Sequence, residues 1–166
     1  MVTTVTPYTD TRTRALVGDG FDGVVRVVVG NQYGSGVLLF DGTAVLTAAH
    51  LFAGQASSTN VIFETTAGLQ TVASSQVLVN PNYTTANSNS DLALVWLSQD
   101  APVLAERFGI YRASTEVGQT MTMVGYGTPG LGSSGTLANF NEAPVRVKAS
   151  NQFDSDVAPL GRFFSE

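Results

Sequence analysis

The chain has 166 residues, of which 43% are hydrophobic and 13% charged, a composition that fits one packed globular domain and excludes a disordered chain. Its net charge of −5 leaves no basic stripe for a nucleic acid, and the absence of cysteine excludes disulfides and thiolate metal sites. No apolar run approaches the roughly 20 residues of a membrane-spanning helix, so we expect no membrane span.

The N-terminal segment is polar and rich in threonine, and we expect residues 1–15 to form a flexible lead. This segment has no hydrophobic region of the kind that a signal peptide carries. Arg12 and Arg14 precede Leu16, where they mark either a propeptide cleavage point or ordinary solvated charges. The sequence leaves both alternatives open.

From Gly23 onward, short β-branched runs alternate with clusters of Gly, Asn, Asp and Ser, the pattern of short strands joined by turns. Helical periodicity is nearly absent, apart from one short turn that we expect within Ala48–Ala53. Strands of this number and spacing predict an all-β sandwich or barrel. The predicted strands are Val24–Val29, Gly36–Phe40, Ala44–Thr47, Val61–Thr65, Gln70–Val79, Leu92–Leu97, Thr120–Gly125 and Ala143–Lys148.

Two apolar runs carry the residues that are candidates for catalysis. The only histidine, His50, lies in the octapeptide VLTAAHLF, and Asp91 opens the run SDLALVWL. An imidazole that takes a proton from a hydroxyl needs a carboxylate on its far ring nitrogen. His50 is therefore the candidate base and Asp91 its candidate orienting partner. The alternatives are a structural histidine and a turn-forming aspartate.

Other acidic residues do not form a recognisable metal site. Asp19 and Asp22 are close in sequence, but they lack the ligand spacing of a calcium loop. We assign no metal and no cofactor.

These segments resemble the motifs of the trypsin/chymotrypsin-like serine endopeptidase family. VLTAAHLF resembles the histidine motif of the family and SDLALVWL its aspartate motif. Three further segments occur in family order. YGSGVLL at Tyr33–Leu39 resembles the Gly-Ser-Gly strand of cysteine-free bacterial members, and VLVNPNY at Val77–Tyr83 resembles the turn before the aspartate loop. VGYGTPG at Val124–Gly130 resembles the Gly-Trp-Gly segment that opens the second barrel, with Tyr126 in place of Trp.

The resemblance implies a trypsin-like double β-barrel, with the first barrel complete in residues 16–112 and the second only begun in residues 113–166. It implies a serine-type endopeptidase that cleaves proteins or peptides through an acyl-enzyme. In that mechanism His50 is the general base and Asp91 the carboxylate that orients it. The resemblance is to exported bacterial proteases, and it favours a secreted, extracellular protein.

The nucleophile does not carry over from the family. Its motif, Gly-Asp-Ser-Gly-Gly, does not occur in the 166 residues. The segment Gly132-Ser133-Ser134-Gly135 lies too soon after Tyr126 and lacks the preceding Asp, so we interpret it as part of a mobile surface loop. The oxyanion hole and the specificity pocket are missing with the same motif.

We therefore expect this chain alone to be inactive, and a second polypeptide to carry the serine and complete the second barrel. That polypeptide is either a cleaved C-terminal portion of the same precursor or a separate chain. The alternatives are a shortened polypeptide, and an inactive homologue without the serine that serves as a binding or scaffold module. A periplasmic HtrA-like protease is a further alternative within the enzyme class.

Overall fold

The computed structural model describes residues 8–54, 58–86, 88–131, 133, 135–136 and 144–155, together with the backbone of residues 3–4. Short 3-10 helices lie at Thr11–Thr13 and Ala49–Phe52, and no helix in these ranges is long and apolar enough to cross a membrane. The fold is all-β, as the sequence predicts. The strands are β1 (Thr3–Thr4), β2 (Val24–Val29), β3 (Gln32–Leu38), β4 (Ala44–Thr47), β5 (Thr59–Thr65), β6 (Gly68–Val79), β7 (Ala93–Leu97), β8 (Thr120–Gly125), β9 (Gly130–Leu131), β10 (Gly135–Thr136) and β11 (Val147–Gln152).

Six strands close into a barrel in the order β2-β3-β4-β7-β6-β5, and β5 pairs back to β2. Side chains alternate between the interior and the outside, as the period of two in a strand requires. On β5, for example, Val61 and Phe63 are fully buried while Asn60 and Glu64 are only half-buried. The inward residues form one apolar cluster that fills the barrel.

Two small sheets lie outside the barrel. β8 pairs antiparallel with β11, and Gly125 lies opposite Val147 at one end of this pair. β9 pairs with β10 and, in parallel, with β1. The chain thus has one complete barrel and the start of a second, which is the architecture that the sequence predicts.

Most strand positions agree closely with the sequence-based prediction, with two exceptions. One is β3, which spans Gln32–Leu38 where Gly36–Phe40 was predicted. β2, β4 and β8 have the predicted bounds, and the short turn after the histidine is the helix at Ala49–Phe52. The last strand, in contrast, begins at Val147 and not at Ala143, a residue that lies outside the described ranges. Arg146 is not part of the β8 ladder because its carbonyl accepts a hydrogen bond from the backbone N–H of Ala15 instead.

Residues 8–15 make defined contacts, and the flexible lead over residues 1–15 stays a prediction. Asp10 caps the helix at Thr11–Thr13, and the backbone of Arg14 forms a β-bridge with Val147. Ala15 is buried. The start of β11 thus supplies a backbone partner for this segment. Residues 1–2 and 5–7 lie outside the described ranges. The division into residues 16–112 and 113–166 stays a prediction.

Candidate active site

His50 and Asp91 lie at the same end of two neighbouring strands. The last residue of β4, Thr47, is paired with Ala93, the first residue of β7. His50 follows Thr47 by three positions, and Asp91 precedes Ala93 by two. Because the strands are antiparallel, this register brings together two side chains that are 41 residues apart in sequence.

The contact between the two residues is double. Nδ1 of His50 lies 2.8 Å from Oδ2 of Asp91, and the backbone N–H of His50 donates to Oδ1, also over 2.8 Å. An ionised carboxylate only accepts hydrogen bonds, so we assign the ring proton to Nδ1 and a lone pair to Nε2. No group in the described ranges hydrogen-bonds Nε2, and 57% of the side chain of His50 is exposed. The ring is oriented and one of its nitrogens is available as a base.

The charge on Asp91 is stabilised by its neighbours. The hydrogen bond from the His50 ring is the main cause that lowers the pKa of the Asp91 carboxyl below its usual value, and backbone N–H groups of His50 and Ala49 lower it further. Partial desolvation opposes this shift but does not reverse it. Asp91 is therefore ionised at neutral pH and holds the tautomer in which Nε2 is unprotonated.

The loop before Asp91 has an unusual backbone. Ser88 and Ser90 have φ values of 55° and 57°, in the left-handed region that costs a residue with a Cβ about 1–2 kcal/mol. The carbonyl of Ser90 accepts a hydrogen bond from the N–H of Leu92, which closes a tight turn around Asp91. Strained residues of this kind persist where the surrounding structure fixes them, and functional sites are a common place for them.

The two glycines of the Gly-Ser-Gly strand allow the barrel to be filled close to the site. A Cβ on Gly36 would lie within 3 Å of side-chain atoms of Val45 and Val27, and a Cβ on Gly34 within 3 Å of Leu51. Leu51 directly follows His50 and is buried. The absence of a side chain at Gly34 thus allows the 3-10 helix at Ala49–Phe52, which carries His50, to pack closely against β3.

Ser35, between these glycines, connects the first barrel to the second. Its Oγ accepts from the backbone N–H of Tyr126 over 2.7 Å and donates to the carbonyl of Tyr126 over 3.0 Å. The carbonyl of Ser35 accepts from Oγ1 of Thr47, the last residue of β4, over 2.8 Å. The Gly-Tyr-Gly segment is therefore tied to the strand end from which the His50 helix starts.

The structure brings no nucleophile to His50. In the described ranges, no serine or threonine hydroxyl hydrogen-bonds its imidazole. Of the segment that superficially resembles the serine motif, Ser133 is exposed in a turn between β9 and β10, whereas Gly132 and Ser134 lie outside the described residues. The structure thus brings His50 and Asp91 together, and their catalytic roles stay a prediction.

A buried ion pair between Arg146 and Asp22 was missed by the sequence analysis. Arg146 lies 2.5 Å from Asp22, and both side chains are at most 2% exposed. Asp19 accepts from Lys148 over 3.1 Å. The described residues contain no group of three or more His, Asp or Glu side chains that could hold a metal ion. The two aspartates considered as calcium ligands are partners of cations on and beside β11.

Comparison with known proteins gives the same fold. The family model named Trypsin matches residues 19–158. The structure of neuropsin, a serine protease expressed in the limbic system of mouse brain, superposes with a TM-score of 0.70 at 20% identity, over 92% of this chain and 68% of that one. The structure of GrC superposes with a TM-score of 0.68 at 17% identity, over 92% and 69%. A comparison with curated proteins finds no match.

Proposed function

The chain belongs to the trypsin family, and from that premise we propose that it is the histidine- and aspartate-bearing part of a serine endopeptidase whose nucleophile lies outside these 166 residues. The observation that carries the proposal is the contact of 2.8 Å between Nδ1 of His50 and Asp91, which leaves Nε2 as a base. A structural histidine needs no such arrangement.

In this mechanism, Nε2 of His50 removes the proton from a serine hydroxyl as the oxygen attacks the carbonyl carbon of a peptide bond. The imidazolium that forms is stabilised by the ionised Asp91, and it then gives the proton to the leaving amine. The acyl-enzyme is hydrolysed by a water that His50 activates in the same way. Asp91 stays ionised throughout, because its pKa lies below its usual value.

The serine, the oxyanion-binding N–H groups and the specificity pocket come from a second polypeptide or from a further segment of the same precursor. The matched region covers 68% of the neuropsin chain, so about a third of that chain has no counterpart here. A chain that lacks the nucleophile retains only residual catalysis at best. We therefore expect the 166 residues alone to be inactive on peptide substrates.

A fluorophosphonate probe, which labels an activated serine covalently, tests the proposal. We expect the probe to label a polypeptide that co-purifies with this chain, or that continues it, and the label to disappear in a His50→Ala variant. Mass spectrometry of the labelled peptide identifies the serine. Labelling of Ser133, or of any other serine within these 166 residues, would contradict the proposal.

The second candidate function is a non-catalytic binding or scaffold module with a protease fold. The observation that favours it is the absence of a Gly-Asp-Ser-Gly-Gly motif from the sequence, and a fold does not determine a function. Under this hypothesis, no polypeptide associated with the chain reacts with the fluorophosphonate. The His50→Ala variant then binds its partners as well as the parent chain does.

Location and origin belong to the proposal as well. We propose that the protein is a bacterial one that acts outside the cell, where proteases of this family often act on protein or peptide substrates. Fractionation of cells that produce the tagged protein tests this point. Retention in the cytoplasm of all of the fluorophosphonate-reactive material would contradict an extracellular role.

A further inference from the structure

Ser35 occupies an outward position on β3, where the barrel meets the start of the second barrel. Its Oγ bonds both backbone polar groups of Tyr126, the N–H over 2.7 Å and the carbonyl over 3.0 Å. Tyr126 lies one residue beyond β8, and only 4% of it is exposed. One hydroxyl thus holds the end of β8 on the first barrel.

The same serine also contacts the part of the barrel that carries His50. Its carbonyl accepts a hydrogen bond from Oγ1 of Thr47 over 2.8 Å, and Thr47 precedes His50 by three positions. Leu51, the residue after His50, packs against β3 at Gly34, where a Cβ atom would lie 2.8 Å from the leucine side chain. A displacement of β3 relative to β8 therefore displaces the helix of His50 relative to β8 as well.

Packing does not hold β8 tightly against the barrel next to this contact. A cavity of about 400 Å³ lies between them, and its lining includes Val37 on β3, Leu46 on β4, and Thr122 and Val124 on β8. A void forfeits the van der Waals contacts that would hold its walls in one position. Ser35 lines the same cavity. Its hydrogen bonds therefore contribute more to the position of β8 than they would at a closely packed contact.

We propose that Ser35 is a positioning residue that sets the distance between His50 and the nucleophile. The proposal rests on the proposed function, in which the serine arrives with the polypeptide that completes the second barrel. That polypeptide is built onto β8 and β11, and Ser35 connects the end of β8 to the strand end that precedes His50. Proton transfer needs the serine oxygen within about 2.6–3.2 Å of Nε2. A displacement of about 1 Å can lower the rate about 100-fold.

Hydrogen exchange in the isolated chain tests the contact itself. The N–H of Tyr126 donates to Ser35, so we expect this N–H to exchange at least about ten-fold faster in Ser35→Ala than in the parent. Ser75→Ala is the matched control, because its hydroxyl also donates to backbone carbonyls, those of Trp96 and Leu97, but lies on β6 between β5 and β7. Equal exchange of the Tyr126 N–H in the parent and in Ser35→Ala would overturn the proposal.

Steady-state kinetics of the active complex test the positioning role. We expect Ser35→Ala to lower kcat per assembled complex at least about ten-fold, while KM changes by less than about two-fold, because the specificity pocket arrives together with the nucleophile. The pH at which kcat/KM is half-maximal should stay the same, since the contact between His50 and Asp91 is unchanged. Ser35→Thr keeps a hydroxyl at this position and should retain at least about a third of the parent kcat. Ser75→Ala should match the parent.

The outcomes separate this proposal from the proposed function. An unchanged kcat in the Ser35→Ala complex, or an equal loss in Ser75→Ala, would overturn the positioning role and leave the proposed function standing. If Ser35→Ala does not assemble, Thr47→Val is measured in its place, because it removes the hydrogen bond to the Ser35 carbonyl with little change in side-chain shape. We expect that variant to lower kcat at least about three-fold, and an unchanged kcat would again overturn the positioning role. If no fluorophosphonate-reactive polypeptide exists, both proposals fail.

Discussion

His50 uses both its backbone N–H and its ring to contact one carboxylate, and this double contact fixes the imidazole from two directions. The ring nitrogen that faces Asp91 donates, and Nε2 keeps its lone pair. A substitution of Asp91 by Asn thus replaces one of the two acceptor oxygens by a donor. It changes the tautomer preference while leaving the apolar packing of Leu51, next to His50, in place.

For the Asp91→Asn variant of the active complex, we expect kcat to fall by about four orders of magnitude, which is the size known for the equivalent change in a Ser-His-Asp triad. The amide side chain can donate to Nδ1 and so favours the tautomer in which Nε2 carries the proton. Steady-state kinetics on a peptide substrate measure the effect. The control is Asp100→Asn, which changes a carboxylate outside the site; a similar loss in that variant would show that the effect is not specific to Asp91.

We also expect the Asp91→Asn substitution to change how the free energy of unfolding of the isolated chain depends on pH. The pKa of Asp91 is lower in the folded state than its ordinary value near 4. The ionised carboxylate therefore contributes to the free energy of unfolding above pH 4, and this contribution is lost as the pH falls through the pKa of the folded state. We expect Asp91→Asn to unfold more easily than the parent at pH 7, by less than about 1 kcal/mol because the pair is partly exposed. Denaturant titrations should show this difference shrinking below pH 4; a constant difference down to pH 2 would contradict the prediction.

The positions of the two site residues follow from the sequence, but their surroundings follow only in part. A hydrophobic run that ends before His50 and another that begins after Asp91 predict β4 and β7, and pairing of these strands brings the residues together. The catalytic roles of the two residues stay a prediction. The contact between Ser35 and Tyr126 was not predictable, because it depends on how the second sheet packs on the first.

At the scale of the elements, most strands were predictable because their inward residues are mainly β-branched, aliphatic or aromatic, and polar residues or glycines occupy the turns between them. β3, which begins four residues earlier than predicted, and β11 are the exceptions. The sequence from Ala143 has strand-forming residues, but the backbone of Arg146 pairs with Ala15, a partner 131 residues away. Local propensity cannot reveal that competition. The same long-range pairing joins Arg14 and Ala15 to the chain around Val147.

Neighbouring side chains leave no room for a Cβ atom at Gly36 of β3. We expect Gly36→Ala to destabilise the chain by about 1–3 kcal/mol, the usual cost of overpacking, because its methyl group would lie within 3 Å of both Val45 and Val27 in the barrel interior. Thermal and chemical denaturation measure the change.

The matched control for Gly36→Ala is Gly109→Ala, where a Cβ would meet no atom within 4 Å and φ is not positive. That variant should stay within about 0.5 kcal/mol of the parent. Equal effects of the two substitutions would mean that the loss at Gly36 is a backbone effect and not a packing effect.

At the scale of the whole molecule, one arginine connects three parts of the chain. The buried guanidinium of Arg146 donates to Asp22 and to the carbonyls of Ala15 and Val24, and so joins the entry of β11 to the N-terminal segment and to the first barrel strand. Asp22 in turn accepts from the N–H of Gly18 with both oxygens. These hydrogen bonds fix the backbone of the segment around Leu16, and residues 8–14 precede it in the same chain.

This connection gives the last prediction. Arg146→Met leaves the carboxylate of Asp22 buried without its cation, and we expect it to cost about 3–5 kcal/mol. The double variant Arg146→Met/Asp22→Leu should recover most of that loss, because it removes both buried charges. Ala15 is buried and its carbonyl accepts from Arg146, so we expect loss of the arginine to expose the Arg14–Ala15 peptide bond. Limited digestion with an arginine-specific protease should spare this bond in the parent and cut it in Arg146→Met. Rapid cleavage in the parent would contradict this prediction, because the segment would then open independently of the ion pair.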